Sequence, residues 1–339
     1  MKRSHLYRRR FAVLTVVFLL VLFLSGMLGR FSIAPRELLR LLLSRFVRVE
    51  PNWRDGAQTV VFQIRLPRIA AAALVGAALA VAGVSYQGMF RNPMVSPDLL
   101  GASTGAGFGA ALAILCAAGY LAITLSAFFF GLAAVLLAYL ISRKSRLEEA
   151  LSMVLAGMMI SSLFTAGTSF IKLVADTDNQ LPAITYWLMG SLTSVRAQDV
   201  RFAALPILIG LIPLLLLRWR INLLTLSDAE ARSMGVDTRR LRLVVIVCAT
   251  LMTAASVAIS GMIGWVGLVI PHFCRILFGY DYRRLLPGCV MLGASFLMLV
   301  DTLARTLTTS EIPLGILTSF VGAPVFLYLI LKGGADRAD

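Results

Sequence analysis

The stretch "IRLPRIAAAALVGAALAVAGVSYQGMFRNPMVSPDLLGASTGAGFG", residues 64–109, contains a long apolar run with two arginines at its start and a turn at its end. Residues 66–86 form an apolar run of the length that crosses a bilayer, which is about 20 residues. Asn92-Pro93 predicts a turn, and Ser96-Pro97 supplies an N-cap and a first helical residue. The stretch therefore predicts a membrane-spanning helix, a turn and a second helix.

Three glycines in the second of these helices are spaced four residues apart, at Gly101, Gly105 and Gly109. Residues at this spacing share one helix face, and glycines there let a second backbone approach closely. We expect helix packing from this face rather than contact with a ligand.

The rest of the chain repeats the same apolar pattern. Of its 339 residues 59% are hydrophobic and only 14% are charged, whereas soluble domains carry about 25% charged residues. The fold class predicted is an all-α integral membrane protein, with a single polytopic domain over residues 1–339. Ten spans are expected at 11–29, 66–86, 97–117, 120–141, 148–171, 199–217, 241–259, 263–279, 285–304 and 313–331.

The net charge of +15 could suggest nucleic acid, but the 32 Lys and Arg residues lie mainly in short segments between apolar runs. Basic residues there orient a membrane protein, and their distribution places both termini in the cytoplasm. Residues 30–68 are basic on the outer side and depart from this rule. Within them, residues 35–51 have apolar and Arg positions at helical spacing, which predicts a short interfacial helix with snorkelling arginines.

Several chemistries are excluded by missing motifs. None of the four lysines follows a glycine, so the chain has no P-loop, and it has neither H-E-x-x-H nor G-x-S-x-G. An intramembrane enzyme would need a catalytic pair that the sequence lacks. A passive channel or secondary transporter predicts charged residues near the bilayer midplane, whereas Asp301 lies near the end of a span. Asp301 and Arg305 are instead spaced as a helical ion pair.

The longest polar stretch on the inner side is "LSDAEARSMGVDTRRLR", residues 226–242. Gly235 is suited to end a short helix because glycine readily takes the left-handed conformation. The stretch is compatible with a solvated helix-turn-helix or with a docking element for a cytoplasmic partner, and periodicity does not separate these two interpretations.

The quoted stretch, together with "GMIGWVGLVIPHFCRILFG", "RRLLPGCVMLGASFLMLVDTLAR" and "EIPLGILTSFVGAPVFLYLILK", closely resembles the FecCD family of ABC-importer permeases. These type II importers take up iron-siderophore, haem and vitamin B12. The resemblance, over about residues 61–332, implies a ten-span permease of the cytoplasmic (inner) membrane of a bacterium or archaeon. It implies a homodimer or a dimer with a close paralogue, two ATPase subunits and an extracytoplasmic substrate-binding protein. No cofactor is expected in this chain, and ATP is used by the partner subunit.

The resemblance also assigns roles to individual residues. The coupling loop, about 218–240, would contact the ATPase through Asp228, Glu230, Ala231, Arg232 and Gly235. A cytoplasmic gate is implied at Asn92 and Met94, where family members often have Leu in place of this methionine. Trp187 and Met189 are implied to line the translocation path, although an aromatic residue here also suits interfacial anchoring.

Three outward-facing arginines, Arg65, Arg68 and Arg305, are implied to dock acidic residues of the binding protein. Charges that face water would steer such a partner and fix its register. The function expected is import of a ferric siderophore by alternating access, without covalent chemistry in this chain. The alternatives are haem or cobalamin as cargo and, outside this class, a secondary transporter or channel.

Overall fold

The computed structural model describes residues 2–45, 47 and 53–335, and these residues form helices and connecting loops without strands. The helices are α1 Lys2–Met27, α2 Pro35–Leu43, α3 Ala57–Met89, α4 Ala102–Leu115, α5 Tyr120–Lys144, α6 Glu149–Val174, α7 Gln180–Met189, α8 Ala197–Leu216, α9 Arg218–Leu223, α10 Asp228–Ser233, α11 Thr238–Ser260, α12 Val266–Phe278, α13 Tyr282–Thr306 and α14 Leu314–Ala335.

The predicted fold class is confirmed. In the described part of the chain, seven helices are long and apolar enough to cross a membrane: α1, α3, α5, α6, α8, α11 and α13. Three shorter apolar helices, α4, α12 and α14, coincide with the remaining predicted spans. Each of the ten apolar runs found in the sequence is therefore a helix.

The second span begins earlier than predicted. Helix α3 starts at Ala57 rather than at residue 66, and it passes through a π-helical turn, Val60–Arg65, immediately before Pro67. A proline lacks the N–H of a regular helical turn, and a π-turn is one of the known ways in which a helix accommodates this disruption. The polar residues Gln58, Gln63 and Arg65 lower the mean hydropathy of residues 57–65. Hydropathy alone therefore places the start of the span at residue 66.

Helices α3, α11 and α13 form the centre of the bundle, while α1, α5, α6 and α8 expose broad apolar faces around it. Exposed apolar side chains suit contact with lipid tails, so helix association depends on close packing rather than on hydrophobic burial. At the contact of α3 with α13, a Cβ on either Gly76 or Gly293 would overlap the carbonyl oxygen of the other. Close approach of backbones therefore holds the central helices together.

The glycine face predicted for α4 is confirmed at two of its three positions. A Cβ built on Gly105 would lie 2.5 Å from the Phe130 carbonyl oxygen, and one built on Gly109 would lie 2.5 Å from that of Ser126, both on α5. Gly101 differs because it precedes the helix and has a φ of +88°, a conformation that favours glycine. It ends the short 3₁₀ turn Pro97–Leu100, where the sequence predicted that a helix restarts.

Of the interfacial helix expected at residues 35–51, the helical part is present as the shorter α2. Its buried side chains, Leu38 and Leu41, pack in a small separate core, while Arg36 and Arg40 are exposed. The amphipathic pattern was therefore interpreted correctly within α2. Residues 46 and 48–51 of the predicted helix lie outside the described residues.

Candidate functional site

An arginine cluster lies where α3 begins and α13 ends. It consists of Arg65 in the π-helical turn, Arg68 one turn later, Asp301 and Arg305 in the last turns of α13, and Glu311 in the following loop. Arg65, Arg68, Asp301 and Arg305 are all buried. Because α3 and α13 are antiparallel neighbours, the fold brings together residues more than two hundred positions apart in sequence.

Asp301 is shared between two arginines. Its Oδ1 lies 2.8 Å from Arg68 Nε, and its Oδ2 lies 3.2 Å from Arg305 Nε. The side chain of Asp301 is only 1% exposed, so water does not replace these partners. A carboxylate in such surroundings depends on its ion pairs for stabilisation. The helical pairing of Asp301 with Arg305 predicted from the sequence is confirmed, and Arg68 is an additional partner.

Arg65 and Arg305 also contact the end of α1, and Arg65 donates in addition to the Phe31 carbonyl oxygen in the segment that follows it. Arg65 Nη1 donates to the carbonyl oxygens of Gly26 at 2.6 Å and Met27 at 2.9 Å. Arg305 donates to the carbonyl oxygens of Ser25 at 3.2 Å and Leu28 at 3.3 Å. The last carbonyl groups of a helix have no partners within it, and this end carries partial negative charge. Both arginines thus cap α1 and fix its end to the bundle.

Glu311 connects the rest of the arginine cluster to the loop that follows α7, which contains Thr193. Its Oε2 accepts from Arg68 Nη1 at 2.8 Å and from the Thr193 hydroxyl at 2.6 Å. Although burial alone raises the pKa of Glu311, the Thr193 hydroxyl and the Arg68 guanidinium outweigh it and lower this pKa below its usual value. Sequence reasoning missed Glu311, although an acid directly before the last span, in "EIPLG", was a signal that could have found it.

The three arginines were expected to face water, and this expectation was wrong. The side chains of Arg68 and Arg305 are 5% and 7% exposed, and Arg65 is 3% exposed as a residue. The physical reason is that their partners lie inside the chain, on α1, on α13 and in the loop after α13. Three arginines against two acids leave the arginine cluster with one excess positive charge.

The coupling loop predicted at about 218–240 contains the two short helices α9 and α10. Helix α10 begins with a capping box: the Ser227 hydroxyl accepts from Glu230 N at 3.3 Å, and Ser227 N donates to Glu230 Oε2 at 2.9 Å. The hydroxyl of Ser227 lowers the pKa of Glu230 below its usual value. Ala231 is fully buried, so α10 rests on the bundle through it.

Two further features give the coupling loop a fixed geometry. Gly235 has a φ of +78°, and it ends α10 as the sequence predicted. Arg242 on α11 pairs with Asp228 at 2.6 Å and with Glu149 on α6 at 3.0 Å. Arg232 is exposed, whereas Asp228 is bound by Arg242. Arg242 and Glu149 were missed by sequence reasoning because they come from other helices.

The loop proposed as a gate follows α3 at the opposite end from the arginine cluster. Asn92 Oδ1 accepts from Met94 N at 2.9 Å, and Met94 is 48% exposed. Gln87, buried near the end of α3, donates to the carbonyl oxygens of Val95 at 3.1 Å and Gly267 at 3.3 Å. The loop is therefore held against α12 from within the bundle.

Gln87 is itself oriented by a charged neighbour. Arg275 on α12 donates to Gln87 Oε1, so the amide group of this glutamine is occupied on both sides. The pairing of Gln87 with Arg275 was not predicted from the sequence, because the two residues come from different helices.

Of the two residues implied for the translocation path, Met189 lies at an open cavity. This cavity of about 650 Å³ is lined by residues of α7, α14 and the segment after α11, and its described lining carries no charged side chain: Leu188, Met189, Met262, Gly264, Gly315, Ile316, Ser319, Phe320 and Ala323. Trp187 instead packs against a buried cluster of alanines and Val257. Met262 belongs both to this cluster and to the cavity lining, so it lies between Trp187 and the cavity beside Met189.

The FecCD transport family matches residues 17–332. The chain belongs to this family. The molybdate import system permease protein MolB of Haemophilus influenzae is 40% identical to it over 327 residues, 96% of each chain. The "Probable iron chelatin transport system permease protein" of Helicobacter pylori strain 26695 is 43% identical over 273 residues, 80% of this chain and 82% of that protein.

A solved structure described as a metal-chelate type ABC transporter in an inward-facing conformation matches this FecCD permease with a TM-score of 0.86. That chain is 39% identical, and the match covers 96% of this chain and 99% of that one. The molecule is thus a multi-pass membrane permease of the ABC-importer type.

Proposed function

We propose that this FecCD permease carries an iron chelate, a ferric siderophore, across the cytoplasmic membrane by alternating access. The observation that carries the proposal is the uncharged cavity of about 650 Å³ beside Met189. A naked metal cation would need oxygen, nitrogen or sulfur ligands along its way. A metal already enclosed by a chelator requires only weak contacts with an apolar surface. The Helicobacter pylori relative named for iron chelatin transport supports this cargo.

In this proposal, ATP hydrolysis occurs on two separate cytoplasmic subunits, and the coupling loop contacts them. Helix α10 is suited to this role because its capping box, the buried Ala231 and the ion pair of Asp228 make it rigid. A movement of the ATPase subunit would therefore be transmitted through α10 to α11 and α6. The chain would pair with a second copy of itself or a close paralogue. Both termini would lie in the cytoplasm, on the side of the coupling loop.

The arginine cluster is proposed as the docking point of the substrate-binding protein. Its excess positive charge favours an acidic partner. Because Arg65 and Arg305 are buried, direct contact with that partner would require a small rearrangement of one of these side chains. The test measures binding-protein affinity for Arg65→Gln in lipid nanodiscs at low and high salt, with Arg201→Gln as the exposed control on α8. Weakened, less salt-dependent binding for Arg65→Gln supports the proposal. A loss confined to Arg201→Gln contradicts it.

Molybdate is the second candidate cargo because the Haemophilus influenzae relative named for molybdate import matches almost the whole chain. Haem and cobalamin are further alternatives within the same architecture. A path with few polar contacts leaves selection of the cargo to the binding protein, so these cargoes share one permease geometry.

Reconstitution tests the proposal directly. The permease, its ATPase and its binding protein are placed in proteoliposomes, and uptake of labelled ferric siderophore, haem, cobalamin and molybdate is measured with and without ATP. ATP-dependent uptake of the ferric siderophore is the expected result. Uptake of molybdate alone would refute the iron cargo, and full-rate uptake without ATP hydrolysis would refute the importer mechanism itself.

A further inference from the structure

A second cavity, of about 290 Å³, lies beside the coupling loop, where α5 and α10 end and α6 and α11 begin. Its lining includes four arginines and one acid: Arg143, Arg232, Arg239, Arg242 and Glu149. Four positive charges against one negative charge leave an excess of three, which Asp228, paired with Arg242, reduces to two. We call this cavity the basic cavity.

Arg242 is the buried member of this set, with 8% of its side chain exposed. Its two terminal nitrogens are paired with Glu149 and Asp228, but its buried Nε has no hydrogen-bond partner among the described residues. Arg143, Arg232 and Arg239 form no ion pair within the described part of the chain. Because Arg143, Arg232 and Arg239 are exposed and form none of these ion pairs, their guanidinium groups are accessible to an anion from solution.

The general bias of cytoplasmic segments towards basic residues does not explain this arrangement. That bias places arginines next to spans, as at Arg146, but it does not direct them towards one cavity. Here arginines from three separate helices, Arg242 buried and the other three exposed, converge on one cavity, where a bound anion would relieve their mutual repulsion. Convergence of like charge around a cavity is typical of an anion-binding site.

We propose that the basic cavity binds a phosphate-bearing anion, either free phosphate or the headgroup of an anionic lipid. The guanidinium group offers paired donors that match phosphate oxygens, which is why arginine is preferred over lysine at phosphate sites. A cavity of about 290 Å³ holds a phosphate group with several waters, each of which occupies about 30 Å³.

The bound anion would connect the coupling loop to the bundle. It would bridge Arg232 on α10 to Arg239 on α11 and Arg143 on α5, and so restrain α10 beyond the Asp228 ion pair. The site is independent of the cargo and of the transport direction, so its failure would leave the transport proposal untouched.

The first arm of the test uses inorganic phosphate as the probe. The full chain, purified in detergent and freed of lipid, is titrated with phosphate in a calorimeter, with ionic strength held constant by chloride. We expect saturable binding that is about a hundredfold weaker in Arg143→Gln/Arg239→Gln, since the loss of one charge-assisted hydrogen bond from each arginine weakens binding about tenfold. Arg146→Gln is the matched control, because Arg146 is an exposed arginine of the loop between α5 and α6 and lies outside the cavity.

The second arm separates the two sources of phosphate. The same variants are reconstituted with phosphatidylglycerol or phosphatidylcholine, and retained lipid is measured by native mass spectrometry. Loss of inorganic phosphate binding in the double variant identifies a free anion, and loss of phosphatidylglycerol retention alone identifies a headgroup. Equal binding of both probes by the wild type and the double variant overturns the proposal, as does an equal loss in Arg146→Gln. Thermal unfolding of each variant verifies that it is folded.

Discussion

Replacing Asp301 by asparagine removes the carboxylate that Arg68 and Arg305 share. Asp301 is 1% exposed, so no water compensates for the lost charge. Breaking a buried ion pair by removing one partner costs about 3–5 kcal/mol. Arg68 keeps Glu311, and Arg305 keeps its carbonyl partners on α1, so we expect Asp301→Asn to lower the free energy of unfolding by about 3 kcal/mol, the lower end of that range.

The measurement is equilibrium unfolding of the purified permease in mixed detergent micelles, with Asp178→Asn as the control because Asp178 is exposed and forms no ion pair among the described residues. Combining Asp301→Asn with Arg305→Gln should cost less than the sum of the two single changes, because the second change removes an arginine already left without its carboxylate. Equal stability of Asp301→Asn and Asp178→Asn would refute the assigned role of the shared carboxylate. Strict additivity would show that Asp301 and Arg305 do not interact.

Three further predictions follow from other contacts. Gly293→Ala should greatly reduce the yield of folded permease in size-exclusion chromatography because its Cβ overlaps the backbone of α3, whereas Gly119→Ala, with open space around it, should not. Glu230→Gln should keep ATP-coupled uptake because glutamine also completes a capping box. Glu230→Ala should uncouple ATPase activity from uptake. An equal ratio of uptake to ATP hydrolysis in the two variants would contradict this. Because the pKa of Glu311 is lower in the folded protein than its unfolded value of about 4.5, the ionised side chain stabilises the fold above that pH. This stabilisation is lost as the pH falls through the lower folded value. The free energy of unfolding of Glu311→Gln should therefore depend less on pH below about 4.5.

The fold was largely predictable because apolar runs of sufficient length have few alternatives in a bilayer. The early start of α3 was not predictable from hydropathy, since polar residues and a π-helical turn occupy its first part. The capping box of α10 has a local pattern, Ser227 followed by Glu230 three residues later, that the sequence does contain.

The arginine cluster was only partly predictable from the sequence. The sequence singled out Arg65, Arg68 and Arg305, and it paired Arg305 with Asp301 through helical spacing. The burial of these arginines could not be predicted, because the partners of Arg65 are backbone carbonyl oxygens, which any residue supplies and no motif records. Glu311 could not be predicted as a partner of Arg68 without knowing which loop lies beside α3.

The paired glycines at the centre of the bundle limit how this permease can move. Where Gly76 meets Gly293, two main chains touch without side chains between them. Side-chain rotation, which lets packed helices slide by small steps, is absent at such a contact. We therefore expect α3 and α13 to keep their separation during transport, so that relative movement occurs at the helices around them.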